Sequence, residues 1–175
     1  NLILKNISEL ITLSSKHIDN SQPRRGQSLR DLGIINNGAI AVSNGKIIAV
    51  GSTDDVIPEL EIKPETKVIN GEYKTVLPGF VDPHTHLIFS GTRENELTQK
   101  LEGKTYMEIL KSGGGILKTV SATRKATVDD LVKYGKSRLD TMLEYGTTTV
   151  EAKSGYGLTE AAELNSLTGI KELNN

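Results

Sequence analysis

Two of the chain's three histidines, His84 and His86, stand one residue apart inside Phe80-Val-Asp-Pro-His-Thr-His-Leu-Ile-Phe89. In an extended strand the side-chain period is two, so both imidazoles point to one side. Two neutral imidazoles converging on one pocket make half of a four- or five-coordinate site for zinc or iron. A loop in which both rings are solvated or satisfied by backbone carbonyls explains the same spacing. The flanks favour the metal reading, because Pro78, Gly79 and Pro83 fix the chain on either side and Asp82 is placed to accept a hydrogen bond from a ligand imidazole. Other polar clusters carry less chemistry. Gly113-Gly-Gly115 before Lys118-Thr119 fails the phosphate-loop pattern, since Leu117 stands where glycine is required. Asp129-Asp130 reads as a helix-start charge pair. Glu151 and Lys153 alternate onto one strand face and are expected to form a buried ion pair, with a carbamylated metal-bridging lysine as the lesser alternative.

Around these residues the chain divides in character near residue 77. Residues 2–13 read as one or two strands, and residues 14–33 as a polar surface loop containing His17 and the Arg24-Arg25 pair. Ala39–Ser43 and Lys46–Val50 flank Asn44-Gly45, the dipeptide best suited to a two-residue hairpin turn because both residues accept positive φ. A further strand over 67–69 and a turn at Gly71 complete a small all-β region, residues 1–77. From Pro78 the order becomes a buried strand over 80–89 whose tip carries chemistry, helices over 104–111 and 116–123, a long helix capped by Thr127, strand 147–153, a turn at Ser154–Gly157 and a helix capped by Thr159. Leu131, Val132, Leu139, Met142 and Leu143 are expected to bury one face of the long helix, and Leu164, Leu167 and Leu173 one face of the last. Strands alternating with helices imply parallel β/α units, so the fold class is α/β. Residues 78–175 amount to less than half of the ~250 that a closed eight-unit barrel needs.

Composition excludes several classes. With 36% hydrophobic and 25% charged residues the chain is that of an ordinary globular protein. A formal net charge of −1 offers no basic footprint, so no nucleic-acid partner is expected. The absence of cysteine removes disulfides, thiolate metal sites and a cysteine nucleophile. No apolar run nears the ~20 residues that span a bilayer, so no membrane partner is expected and cytoplasmic is the default location.

Leu77-Pro-Gly-Phe-Val-Asp-Pro-His-Thr-His86 resembles the first barrel strand of the amidohydrolase superfamily, in which a small β-sandwich precedes a metal-bearing barrel. Three further stretches, Phe89–Glu96, Gly113–Arg124 and Glu151–Leu158, are similar to the imidazolonepropionase family, whose members hydrolyse 4-imidazolone-5-propanoate to N-formimidoyl-L-glutamate in histidine degradation. The resemblance runs over essentially the whole chain. It implies one zinc or iron ion on His84 and His86, Arg93 gripping the substrate carboxylate, Tyr156 contacting the substrate, and Tyr106 reaching the same carboxylate. An arginine fork suits a propionate, since it makes two parallel charge-assisted bonds; an exposed Arg93 paired with Glu94 or Glu96 is the alternative. The family's remaining ligands and its acid/base residues are expected beyond residue 175, so the chain reads as the N-terminal portion of a longer enzyme, catalytically incomplete by itself. A homodimer is implied only by the resemblance. Two other readings stay open: a nucleobase deaminase or other cyclic-amide hydrolase of the superfamily, and a non-catalytic β plus β/α binding module.

Overall fold

In the computed structural model, which describes residues 1–14 and 23–174, Leu2–Ile11 form one strand, β1. It pairs antiparallel with β2 (Ile34–Ser43), which turns through Asn44 and Gly45 into β3 (Lys46–Ser52). Both turn residues have positive φ, 50° and 73°, as a two-residue hairpin demands. A short helix α1 (Thr53–Val56), not anticipated from the sequence, follows Ser52, whose hydroxyl accepts the Asp55 N–H. The strands β4 (Lys67–Asn70) and β5 (Thr75–Val76) both pair parallel with β1, giving a five-stranded sheet of order β3-β2-β1-β4 with β5 also on β1. β1 carries a bulge between Leu4 and Ile7; Asn6 sits there at φ 55°, and its N–H finds Thr53 Oγ1 at 2.9 Å. Ile3, Ile7, Leu10, Ala39, Ala41 and Val56 are buried in this first unit, Asn1–Pro78. Of the expected polar loop, residues 26–30 form a 3₁₀ turn, whereas residues 15–22, His17 among them, lie outside the described residues.

The second unit, Gly79–Asn175, is built on two parallel strands, β6 (Phe80–Thr85) and β7 (Thr147–Ala152). Between them run α2 (Glu94–Leu101), α3 (Tyr106–Lys111), α4 (Ile116–Lys125) and α5 (Val128–Glu144), and α6 (Glu160–Leu173) follows β7. Thr105 and Thr127 each form a capping box, with Glu108 and Asp130 respectively, which fixes where α3 and α5 begin. The core gathers Leu87, Ile88 and Leu131, with Leu139, Met142, Ile170 and Leu173 packed against it.

Three expectations need correction. The strand stops at Thr85 instead of Phe89, and it is not buried: Phe80 and Val81 are 53% and 66% exposed, because β6 pairs with a single neighbour. The apolar residues after it, Leu87 and Ile88, enter the core from the chain beyond the strand. On α6 the buried positions are the small residues Ala162, Ser166 and Gly169, while Leu164 and Leu167 are about half exposed. Small side chains admit close contact with α5, where the Cβ position of Gly169 lies 3.6 Å from Val132 and 3.7 Å from Leu131. Leu143 of α5 is likewise exposed.

Candidate active site

Asp82 and Pro83 shape the chain just before the histidines. Asp82 Oδ1 accepts the backbone N–H of His84 at 3.1 Å, a local turn bond that takes the place of the expected bond to an imidazole. His84 is the last residue but one of β6 and His86 lies one residue past its end, yet the rings stay together, with centroids 5.5 Å apart and planes at 67°. His84 is exposed. His86 is half-buried, and its buried Nδ1 has no hydrogen-bond partner among the described residues.

An unpartnered buried polar atom ordinarily costs about 1–3 kcal/mol. Two adjacent imidazoles, one holding such an atom, fit part of a nitrogen-ligand set for zinc or iron. Among the described residues no group of three or more His, Asp or Glu completes it.

The opposite wall comes from the turn after β7. Lys153 N–H donates to Thr85 O at 2.8 Å, tying the end of β7 to the end of β6. The Tyr156 ring then stands edge-on to His86, 5.2 Å between centroids, and 5.4 Å from Phe89. Beside these rings opens a cavity of about 310 Å³ lined by Phe89, Gly91, Thr92, Arg93, Arg138 and Tyr156, together with Glu94 and Thr119. Arg93 and Tyr156 are therefore brought to one cleft next to the histidines. Arg93 is exposed, and among the described residues it forms no ion pair. Glu96 is engaged elsewhere, accepting Gly115 N–H at 2.7 Å, and the Glu94 carboxyl is held below its ordinary range chiefly by the Thr92 hydroxyl. Tyr106 is not brought to this cleft. It opens α3 and is 60% exposed.

Arg138 was not anticipated. From α5 it donates to Leu87 O at 2.8 Å and Phe89 O at 3.0 Å, and its Cζ lies 3.6 Å from the Phe89 ring centroid. Burial pulls its pKa below the usual arginine value, partly offset by Tyr134. The sequence held a signal: Arg138 falls seven residues after buried Leu131 and four before half-buried Met142, on the inward stripe of α5. The expected Glu151–Lys153 pair does form, but it is 58% and 38% exposed instead of buried. It lowers the Glu151 carboxyl mainly through the hydrogen bond and charge of Lys153, with a smaller effect of His84.

No protein-family model matches the chain. It is 49% identical over 170 residues to the imidazolonepropionase of Alkaliphilus oremlandii (strain OhILAs), covering 97% of this chain and 39% of that protein. With the imidazolonepropionase of Alkaliphilus metalliredigens (strain QYMF) it shares 50% identity over 174 residues, 99% of this chain and 40% of the relative. The corresponding figures for the Symbiobacterium thermophilum imidazolonepropionase are 46%, 172 residues, 98% and 39%. The chain thus spans about two fifths of the length of these relatives. Among solved structures, a zinc complex of atrazine chlorohydrolase from Arthrobacter aurescens TC1 matches at a TM-score of 0.52 and 16% identity, over 99% of this chain and 34% of that one. Guanine deaminase from E. coli matches at 0.53 and 16%, over 99% and 33%. These likenesses establish the amidohydrolase fold.

Proposed function

Because the chain belongs, over the length it spans, to the imidazolonepropionase family, we propose that it supplies the metal-binding and carboxylate-binding side of a hydrolase. The reaction is opening of the cyclic amide of 4-imidazolone-5-propanoate to N-formimidoyl-L-glutamate in histidine degradation. One observation carries this reading: Tyr156 lies in ring contact with His86 and lines the same cleft as Arg93, which forms no ion pair among the described residues.

His84 and His86 would hold one metal ion, zinc or iron; the zinc complex of a protein of the same fold supports a metal site of this kind. Lewis-acid activation of water is the chemistry such an ion supplies when bound. The protein's own part is binding and orientation. Arg93 receives the propionate through two parallel charge-assisted bonds, and an exposed guanidinium that forms no ion pair among the described residues loses little by doing so. Tyr156, packed between His86 and Phe89, forms the wall that keeps the ring of the substrate beside the histidines while its tail reaches Arg93. A nucleobase would leave that guanidinium unneutralised, which favours an anionic imidazolone over a deaminase substrate. Tyr106 is kept to an outer role, since it does not line the cleft. We also infer a cytoplasmic location and a homodimer, both carried by family membership alone; among the described residues no helix is long and apolar enough to cross a membrane.

The test is a chimaera in which this chain replaces the matched segment of the Alkaliphilus oremlandii relative. Loss of 4-imidazolone-5-propanoate with equimolar N-formimidoyl-L-glutamate supports the assignment. A folded, metal-loaded chimaera that turns over a nucleobase and not the imidazolone contradicts it.

A further inference from the structure

Two charged side chains divide one dipeptide between them. Arg124, in the last turn of α4, donates from Nε to Gly157 O at 2.6 Å and from Nη2 to Leu158 O at 3.1 Å. Glu163, in the first turn of α6, accepts the N–H groups of the same two residues on Oε1, at 2.8 and 2.7 Å. Both carbonyls and both amides of Gly157-Leu158 are thereby satisfied by a cation from one helix and an anion from another. This backbone needs such support. Leu158 lies at φ 53°, a conformation rare for a branched apolar residue. Gly157 fits so closely that a Cβ there would sit 2.7 Å from Ala162 Cβ and 2.8 Å from its carbonyl carbon. The residues just before the dipeptide form the wall of the cleft. Gly155, at φ 134°, backs onto the His86 ring, and Tyr156 stands between His86 and Phe89.

We propose that Arg124 and Glu163 are positioning residues, a two-charge clamp that fixes the Gly155–Tyr156 wall against His86. Neither lines the cleft; they act through the turn. The consequence for a ligand rests on the reading of Tyr156 as a substrate contact, whereas the clamp itself concerns only where the turn holds His86.

With only three histidines, the Cε1–H signals of the chain can be resolved by NMR and assigned by replacing His17 and His84 in turn. Gly155 abuts His86 Cε1, and the Tyr156 ring stands beside it, so the His86 signal reports the position of the wall. Folded Arg124→Met and Glu163→Gln variants should each move that signal away from its wild-type position, with Arg124→Lys intermediate because a single ammonium replaces the planar fork. The exposed-site control Lys136→Met should leave the His86 signal in its wild-type position. A pair that merely stabilises the packing would lower the unfolding midpoint and leave His86 in place, and that result overturns the clamp. Should Arg124→Met fail to fold, Glu163→Gln and the wild-type nuclear Overhauser contact between His86 Cε1–H and Gly155 Hα decide; absence of that contact also overturns it. The signal is read without metal or substrate, so its outcome is separate from that of the hydrolase reading, which turnover by the chimaera tests.

Discussion

The backbone of Gly155 closes over the edge of the His86 ring so tightly that a Cβ at residue 155 would lie 3.1 Å from Cε1 and 3.5 Å from Nδ1. Glycine is favoured there twice over, weakly by this approach and strongly by φ 134°, a conformation that L side chains rarely adopt. Gly155→Ala should destabilise the chain by about 1–3 kcal/mol through backbone strain alone. A urea titration checks the loss. Displacement of the His86 signal in the same variant separates crowding of the ring from strain confined to the turn.

The start of α5 offers a cleaner stability test. The Thr127 hydroxyl accepts Asp130 N–H at 3.1 Å, and Asp130 Oδ2 accepts in return from the Thr127 N–H and hydroxyl. Thr127→Ala should lower stability by about 1 kcal/mol, read as a lower urea midpoint with unchanged slope.

Acid should loosen the wall of the cleft. Burial pushes the Glu163 carboxyl up, but the Ser154 hydroxyl and the N–H groups of Leu158, Gly157 and Gly155 together outweigh it, so its pKa ends below the ordinary carboxylate value. With the folded value lowered, the unfolded chain takes up the proton first as pH falls. The carboxylate's contribution is complete above the ordinary carboxylate range and is lost as pH falls through the folded value. Between neutrality and about pH 4 the stability of wild type should therefore fall more than that of Glu163→Gln. Equal slopes for the two proteins would show that Glu163 does not carry this dependence.

Much of the scaffold was legible because its signals are local. Asn44-Gly45 dictates its turn, Thr127 with Asp130 dictates the start of α5, and strand–helix alternation dictates the parallel pairing of β6 with β7. The histidine spacing pointed to two rings that stay adjacent, with His86 against Tyr156, and the resemblance to Arg93 and Tyr156, which line one cavity, whereas Tyr106 lies apart from it. What escaped depends on tertiary context. The inward face of α6 is set by Ala162, Ser166 and Gly169 because the space against α5 is narrow, and leucine count points to the wrong face. Arg138 is held by two carbonyls and one ring distant in sequence, and Arg124 and Glu163 by backbone groups of a turn. Contacts of a long charged side chain with distant backbone leave little trace in a sequence pattern.

Substrate choice should follow Arg93. A charge-assisted hydrogen bond is worth roughly 1.5–3 kcal/mol, so Arg93→Ala in the chimaera should lower kcat/KM roughly ten- to a few hundred-fold with metal retained. Replacing the substrate's propionate by its neutral amide should penalise wild type strongly and Arg93→Ala little. The same preference in both proteins would remove Arg93 as the carboxylate anchor.

The hydrolase reading stands or falls with His84 and His86 serving one metal ion, and elemental analysis of the purified chimaera measures this most directly. Zinc or iron should be present in stoichiometric amount in the wild-type chimaera, retained in Arg93→Ala and lost in both His84→Ala and His86→Ala. Stoichiometric metal persisting in folded samples of both histidine variants would contradict it.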